Sequence, residues 1–311
     1  MAATHRFDAH VHVWGPPSGH TATMLGAGGR PLPAGDPARL TAALDAAGVA
    51  GACVVQPACY GFDHAFVQSV IEAAAGRLVG CALADPSGPP ASAAARAAAL
   101  LDLPGRPFAS LRFNPYLWPG GAEEALADGA GLAMAAAAGE RGAPVCVMAF
   151  KGLVPLVTAL RRLAAACPAT PLVLDHCGFA GVGREDEVAA LCALAADFPN
   201  MHVKLSALFR LGGGSGGYDP WPHAAVVAGP ARAALAAFGP RRVMAGTDWP
   251  WVTDVCGYGD AWAALEGVWE GWDGGGGDWD EAAARAAVEG GNAARLFGWG
   301  GRREESGERL G

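Results

Sequence analysis

The chain has 311 residues, of which 52% are hydrophobic and 17% are charged, and its formal net charge is −8. This composition supplies a large apolar core and excludes an intrinsically disordered chain. The acidic sequence has no basic cluster and no apolar run of about 18 residues, which argues against a nucleic-acid partner and a membrane span and favours a small-molecule partner.

Eight short apolar runs predict the strands of a parallel sheet, because they alternate along the chain with longer runs of helical periodicity. The predicted strands span residues 7–13, 51–56, 78–84, 108–113, 144–150, 172–175, 202–206 and 242–247. The predicted helices span residues 37–47, 63–75, 91–101, 122–141, 153–166, 185–198, 221–238, 260–269 and 279–296. Proline or aspartate opens several of these helices, as is typical of a first helical turn.

Eight strands, each followed by a helix, predict an α/β fold of one closed (β/α)8 TIM barrel, a single domain over residues 1–299. The alternative is an open doubly wound sheet. That fold would need a phosphate-binding turn of G-x-G-x-x-G spacing after an early strand, and the sequence has none there. Glycine-rich loops are expected at residues 212–217 and 274–277, and a frayed, charged tail at residues 300–311.

The strand pattern begins within a few residues of Met1 and leaves no space for a signal or transit peptide, so we expect a cytoplasmic protein. The chain has eight cysteines but no C-x2-C pair, so a zinc ribbon is not predicted. Cys53, Cys81 and Cys146 lie in apolar, strand-like runs. In a reducing compartment we expect most of the cysteines to be small buried side chains.

The carboxyl ends of the strands are the places to look for reactive groups, because the loops of a closed barrel surround its pocket at that end. The first strand ends in His10 and His12, and their spacing of two residues places both side chains on the same face. Two such imidazoles are typical of half a metal site or of a polar floor for a reacting group. The alternative, two solvated histidines at the start of a loop, is disfavoured by the apolar residues beside them.

Two further strand ends carry ionisable groups. His176, at the end of the sixth strand, is placed for acid–base chemistry or for polarising a carbonyl. Strand alternation points its neighbour Asp175 away from it, as an orienting group or a partner of the backbone. Asp248 follows the eighth strand and precedes a Trp-Pro loop. Because a buried, ionised aspartate must be paired or bound to a metal, Asp248 is the strongest catalytic candidate.

Polar pairs spaced by two residues also end the fourth and seventh strands, and they are candidates for binding substrate. The pairs are Arg112 with Asn114, and Lys204 with Ser206. Arg112 could bind a carboxylate or carbonyl of the substrate, or form a salt bridge at the barrel mouth. Aromatic residues after strand ends predict either an aromatic-walled pocket or packing of the loops; they are Trp14, Tyr60, Trp118, Trp249 and Trp251.

Four segments at strand ends resemble the amidohydrolase-2 branch of the amidohydrolase superfamily. They are HVH at 10–12, LDHCG at 174–178, VKLSAL at 203–208 and GTDWPW at 246–251, and SLRFNPYLWP at 110–119 further resembles uncharacterised plant-type members. The resemblance extends over residues 7–297, and the branch includes lactonases and, more distantly, a decarboxylase. It implies a TIM-barrel enzyme. It also implies that His10 and His12 are metal ligands or substrate-polarising groups, that His176 is the catalytic histidine of strand six, and that Asp248 is the base that activates water.

The fifth strand departs from the metal-binding relatives, which carry a histidine or glutamate there. This chain has Met148 and Phe150, and neither is a good ligand for zinc. Some lactonases of the branch are similar in lacking this ligand and act without a divalent metal. A zinc ion held by His10, His12 and Asp248 is therefore an option rather than a requirement, and Met148 is expected to contact the substrate.

The expected function is hydrolysis of a small cyclic ester, a lactone, by water that Asp248 activates while the histidines, or a metal that they hold, polarise the carbonyl. One alternative is a metal-dependent, non-oxidative decarboxylase, which would need the complete ligand set. Another is a catalytically silent binding barrel, which would not need all four groups. Because Gly178 and Phe179, rather than an arginine, follow His176, a strongly anionic dicarboxylate lactone is disfavoured.

Overall fold

The computed structural model describes residues 5–15, 32–119, 125–212, 221–272 and 280–300. Its strands are β1 Arg6–Val11, β2 Val49–Val55, β3 Leu78–Leu83, β4 Phe108–Phe113, β5 Val145–Val147, β6 Leu172–Leu174, β7 Met201–Leu205 and β8 Val243–Ala245. Neighbouring strands pair in parallel, in chain order from β1 to β8. Each of the eight predicted strands is therefore present.

The sheet closes on itself where β1 meets β8. The backbone N–H of Asp248 donates to the carbonyl of His10 at 2.9 Å, and the N–H of His12 donates to the carbonyl of Trp249 at 2.6 Å. Val11 and Trp249 form a parallel bridge at the same place. The predicted single (β/α)8 barrel is thus confirmed, and the open sheet is excluded.

Helices lie between successive strands and after the last strand. They are α1 Pro37–Ala46, α2 Ala65–Ala73, α3 Pro90–Leu101, α4 Gly129–Gly139, α5 Val157–Ala166, α6 Glu185–Asp197, α7 Arg232–Phe238, α8 Tyr258–Ala264, α9 Glu266–Trp269, α10 Glu281–Ala286 and α11 Asn292–Leu296. Local sequence accounts for some of the ends. The side chain of Asp36 accepts a hydrogen bond from Arg39 N and Pro37 opens the first turn, so α1 begins with a capped N-terminus. A π-helical turn, Val227–Ala231, precedes α7 and contains Pro230, which lacks the N–H that a regular turn requires.

Some predicted boundaries are wrong or untestable. The helix predicted from residue 122 continues as α4 only from Gly129, because Asp128 has an extended backbone that interrupts it. The predicted strand at 144–150 ends as β5 at Val147, before Met148. Of the expected glycine loops and tail, at residues 212–217, 274–277 and 300–311, all but Gly212 and Gly300 lie outside the described residues.

The barrel interior is apolar at its amino-terminal end. Phe7, Phe297 and Trp299 pack there in one cluster of buried side chains, and the rings of Phe7 and Trp299 lie 5.1 Å apart. A second, larger cluster fills the space between the strands and the surrounding helices. The eight cysteines are all free and five of them are buried, as expected.

Because the amino-terminal end of the barrel is apolar, the polar side chains of a site are to be found at the carboxyl end, where the pocket lies.

None of the helices in the described ranges combines the length and the apolar character that a bilayer span requires.

Candidate active site

A bulge in β1 directs His10, and His12 just beyond the strand, into the barrel. Asp8 pairs with Ala52 and Val11 pairs with Val54, so a step of three residues on β1 faces a step of two on β2. Such a bulge changes the phase of strand alternation. Phe7 can therefore pack inside the barrel floor while His10 and His12 also face the interior, with their Nε2 atoms 3.3 Å apart.

The hydrogen bond of His12 to the backbone fixes which nitrogen faces the pocket. Its Nδ1 lies 2.8 Å from the carbonyl oxygen of Val55. Because a carbonyl can only accept, Nδ1 carries a proton and donates it. In the neutral ring, Nε2 then presents a lone pair towards His10 and Asp248.

Asp248 lies in the loop after β8 with a left-handed backbone, at φ 64°. Its Oδ2 accepts a hydrogen bond from Arg210 Nε at 3.0 Å. Its Oδ1 is buried, accepts no hydrogen bond from the described residues, and lies 3.2 Å from His12 Nε2 and 3.8 Å from His10 Nε2. Burial opposes ionisation of Asp248, but the nearby His176 and Arg210 outweigh it and hold the pKa of this carboxyl well below its usual range.

Beneath the pocket, Asp175 is the centre of a buried charge cluster. Its Oδ1 lies 2.9 Å from Lys204 Nζ and 3.3 Å from His10 Nδ1, and its Oδ2 accepts from Arg112 Nε at 3.2 Å. Burial opposes ionisation, yet Lys204, His10 and Arg112 together keep the pKa of Asp175 well below its usual range. Burial likewise opposes the charge on Lys204, and Asp175 outweighs it and raises the pKa of the lysine. Asp175 is therefore ionised, and the neighbouring cations Lys204 and Arg112 balance its negative charge.

His176 reaches the same site through an unusual backbone. Strand β6 ends at Leu174, and His176 and Cys177 both have positive φ angles, 55° and 52°. The expectation that Asp175 points away from His176 is therefore wrong, because strand alternation no longer applies and both side chains contact His10. The ring of His176 lies 4.4 Å from that of His10, and its Nδ1 lies 2.8 Å from Ser206 Oγ. Burial lowers the pKa of His176 to about 4, so the ring is neutral near neutral pH.

Another buried carboxylate, that of Asp8, links β1 and β8 by hydrogen bonds along the seam where the two strands meet. Asp8 Oδ1 accepts from the backbone N–H of His10 at 3.0 Å and of Thr247 at 3.1 Å. Its Oδ2 accepts from Thr247 Oγ1 at 2.7 Å and from Tyr258 OH at 2.9 Å. Asp8 thus fixes the two chain segments that carry His10 and Asp248.

A pocket of about 160 Å³ opens at the carboxyl end of the barrel above these groups. Of the residues that the sequence singled out for the site or its walls, eight line it: His12, Trp14, Arg112, Asn114, Met148, His176, Asp248 and Trp251. The rest of the wall is largely apolar and consists of Pro57, Ala58, Phe150, Phe179 and Arg210.

Other predicted residues lie close by without lining the pocket. His10 lies at its floor and Lys204 below it, both fully buried. The hydroxyl of Tyr60 accepts from Gly15 N, and its ring stacks on Phe66. Trp249 is buried, and its backbone N–H donates to Thr247 Oγ1. These positions favour supporting roles for Lys204, Tyr60 and Trp249 over direct contact with a substrate.

Arg210 is the main residue that the sequence interpretation missed. It lies in the turn after β7 and contacts Asp248 from the opposite side to the histidines. The available signal was a charged residue just beyond a strand end, four positions after Ser206. Turn geometry, which the sequence pattern does not reveal, decides that it points into the pocket.

The residues present fit a divalent metal. The mutual distances among His10 Nε2, His12 Nε2 and Asp248 Oδ1 are 3.2 to 3.8 Å. Ligands at the usual zinc distances would be separated by about 3.3 Å in a tetrahedral site. His176 also offers a ligand atom, and those of His10, His176 and Asp248 all lie within 4.8 Å of one another. The open Oδ1 of Asp248 is the atom that such an ion would satisfy.

Comparisons with known proteins agree with this fold. A family model described as Amidohydrolase matches residues 7–299. A structure described as a 2-pyrone-4,6-dicarboxylic acid hydrolase from Pseudomonas putida is 22% identical, with a TM-score of 0.72 over 95% of this chain and 98% of that chain. An amidohydrolase from Burkholderia multivorans with bound zinc is 23% identical, with a TM-score of 0.71 over 94% and 99%. The 5-carboxyvanillate decarboxylase from Sphingomonas paucimobilis is 16% identical, with a TM-score of 0.58 over 95% and 99%. No curated protein matches the chain.

Proposed function

The chain belongs to the amidohydrolase family, and we propose that it is a hydrolase that opens a small cyclic ester, a lactone, by attack of an activated water molecule. One observation carries the proposal. Asp248 Oδ1 is an ionised carboxylate oxygen that accepts no hydrogen bond from the described residues, and Asp248 lines a pocket together with His12 and His176. Such an oxygen can orient a water molecule and accept its proton.

Arg210 fixes which oxygen of Asp248 can accept that proton. Arg210 holds Oδ2, which leaves Oδ1 turned towards the pocket. Because the pKa of Asp248 lies well below its usual range, the carboxylate is ionised near neutral pH and is a weaker base than an exposed aspartate. The attacking water must therefore be acidified by its surroundings, or Arg210 must turn to the substrate, for proton transfer to be favourable.

His10, His12 and Asp248 would hold a divalent ion such as zinc, with His176 within reach as a further ligand. When bound, the ion would supply Lewis acidity to the carbonyl and the water. His176 supplies a second source of polarisation. When the Ser206 hydroxyl donates a hydrogen bond to Nδ1, the neutral ring carries its proton on Nε2. That N–H can then donate a hydrogen bond to the carbonyl oxygen as negative charge develops there.

The pocket walls suggest the substrate class. Trp14, Phe150, Phe179 and Trp251 supply apolar and aromatic surface, which suits a small, flat ring. The side chains of Arg112 and Arg210 also line the pocket, as does Asn114, whose Oδ1 accepts no hydrogen bond from the described residues. The sequence disfavours an anionic lactone because no arginine directly follows His176, and these two guanidinium groups remove that objection. We therefore propose a lactone that carries at least one carboxylate.

A screen on the purified protein tests the proposal. It compares neutral, monocarboxylate and dicarboxylate lactones, linear esters and aromatic carboxylates, with the protein chelator-treated or supplied with zinc. We expect ring opening of a carboxylated lactone with uptake of hydroxide. Release of carbon dioxide from an aromatic carboxylate, without lactone hydrolysis, would instead establish a decarboxylase. Absence of both reactions, with the substrate bound, would support a binding barrel.

A further inference from the structure

Two opposite charges face the same nitrogen of His10. Lys204 Nζ and Asp175 Oδ1 each lie 3.3 Å from His10 Nδ1, and all three side chains are fully buried. The ammonium group can only donate a hydrogen bond, and the carboxylate can only accept one. Nδ1 therefore accepts from Lys204 when it has a lone pair, or donates to Asp175 when it has a proton, but it cannot do both.

The choice at Nδ1 decides what Nε2 offers to the pocket, because a neutral imidazole carries one proton. When Lys204 donates to Nδ1, the proton of His10 is on Nε2, 3.3 Å from the lone pair of His12 Nε2. The Nδ1 of His12 in turn donates to Val55 O. The result is a continuous hydrogen-bond chain from Lys204 to Val55 in which neither histidine has a lone pair free for a metal ion.

The opposite tautomer opens the site. When His10 Nδ1 donates to Asp175, the lone pair of His10 moves to Nε2 and joins that of His12 and the open oxygen of Asp248. Three electron-rich atoms at these distances repel one another unless a cation lies between them. This tautomer is therefore the one that a divalent cation stabilises.

We propose that Lys204 and Asp175 compete for His10 Nδ1, Lys204 stabilising the tautomer that cannot bind a metal ion and Asp175 the one that can. The inference concerns cation binding by the site and holds whichever bond the enzyme breaks. A metal ion must displace the hydrogen bond from Lys204 before His10 can ligate it. Lys204 thereby lowers the affinity of the site for divalent cations.

The variant Lys204→Met tests this inference, because it keeps the length of the side chain and removes the ammonium group. Lys151 is the only other lysine of the chain and lies over the ring of Tyr116, so Lys151→Met is a matched control. Zinc affinity is measured on chelator-treated protein by competition with a chromophoric chelator. We expect Lys204→Met to bind zinc roughly 10- to 100-fold more tightly, the range typical of groups that hydrogen-bond a metal-ligating histidine, and Lys151→Met to be unchanged.

Equal zinc affinities of wild type and a folded Lys204→Met, including no binding by either, would overturn the proposal. Because removing Lys204 takes a partner from buried Asp175 and could impair folding, a second measurement uses the unaltered protein. The ¹⁵N resonances of the histidine rings, with His10 assigned through His10→Asn, report which ring nitrogen carries the proton. We expect protonated Nε2 in the chelated protein and protonated Nδ1 after zinc is added, with His12 protonated at Nδ1 throughout. His10 in one tautomer under both conditions would equally refute the competition.

Discussion

At the residue scale, the two buried aspartates of the site have different surroundings and therefore different uses. Each oxygen of Asp175 lies within 3.2 Å of a cationic nitrogen, Lys204 Nζ or Arg112 Nε. Asp248 has Arg210 on one oxygen and an open second oxygen beside the histidines. A compensated carboxylate orients its neighbours, whereas an open one can accept a proton or bind a cation.

The substitution Asp248→Asn keeps the shape of the side chain and removes its charge. It should lower kcat by a factor of roughly 10² to 10⁴ on the lactone that the screen identifies, because general-base assistance is lost. Steady-state kinetics with circular dichroism as a check on folding measures this. Zinc content of the same variant separates loss of the base from loss of a metal ligand. Activity within a few-fold of wild type would transfer the role of base to His176.

Arg210 should determine selectivity for anionic substrates. Replacing it with methionine removes a charged hydrogen bond worth about 1.5 to 3 kcal/mol, so kcat/KM for a carboxylated lactone should fall by roughly 10- to 100-fold. A neutral lactone should lose much less. Arg161→Met is the matched control, because Arg161 pairs with Asp197 on the outer helices. Equal losses on charged and neutral lactones would show that Arg210 acts only through Asp248.

At the element scale, the seam between β1 and β8 positions the histidines relative to Asp248. The bulge interrupts the pairing of β1 with β2. On the other side of β1, Asp8 accepts hydrogen bonds from His10 N and Thr247 N and so links β1 to the segment that follows β8. The close approach of the two strands leaves little room at Gly246. A Cβ there would lie 3.0 Å from His10 N and 3.1 Å from Asp8 Oδ1.

The substitution Gly246→Ala should therefore force the seam apart. We expect the free energy of unfolding to fall by about 1 to 3 kcal/mol, as for other overpacked sites, together with a loss of activity. Gly259→Ala in α8 is the control, since a Cβ there meets nothing within 4 Å. That change should raise the free energy of unfolding by about 0.5 to 1 kcal/mol, because alanine is the better helix former. Urea denaturation of both variants checks the prediction, and equal stabilities would contradict it.

At the scale of the whole molecule, histidines that burial keeps neutral make folding sensitive to acid. His202, which is partly buried in β7, is a clear case away from the pocket. Burial, with the charges of Arg295 and Arg242, lowers its pKa from 6.5 to about 4, and its Nδ1 has no hydrogen-bond partner among the described residues. As the pH falls below 6.5, the unfolded chain takes up a proton that the folded protein refuses. The contribution of His202 to stability is therefore complete above that pH and is lost as the pH falls towards 4.

The variant His202→Gln should remove this dependence. Between about pH 7 and about pH 5, wild type should lose about 2 kcal/mol more of its free energy of unfolding than the variant does. Urea denaturation at the two pH values measures the difference. Parallel losses in both proteins would show that His202 is protonated in the folded state as readily as in the unfolded chain.

The metal content of the whole chain should not exceed one equivalent, and the ion should be weakly held. Met148 stands near the end of β5, where a further ligand would be needed for a second ion, and Lys204 and Arg210 place positive charge beside the site. Elemental analysis of protein purified without chelators measures this. Two tightly bound ions per chain would contradict the prediction.

Much of the fold could be predicted from the sequence, because hydrophobic periodicity is a local property. Alternating apolar runs of strand and helix length specify the eight βα units, and eight such units close into a barrel. The spacing of His10 and His12, and the positions of His176 and Asp248 after strands, likewise place these residues at the pocket end. These features depend on neighbours along the chain, so the order of residues is enough to determine them.

Only the tertiary structure decided how these groups divide the chemistry. The sequence does not show that the backbone turns left-handed at His176 and brings both His176 and Asp175 into the barrel. Nor does it show that Lys204 pairs with Asp175 below the pocket, or that Arg210 rather than Lys204 lines it. These facts depend on contacts between strands that are far apart in the chain. Ionisation, tautomer and metal affinity follow from distances of a few ångströms between such strands, and those distances exist only once the barrel has closed.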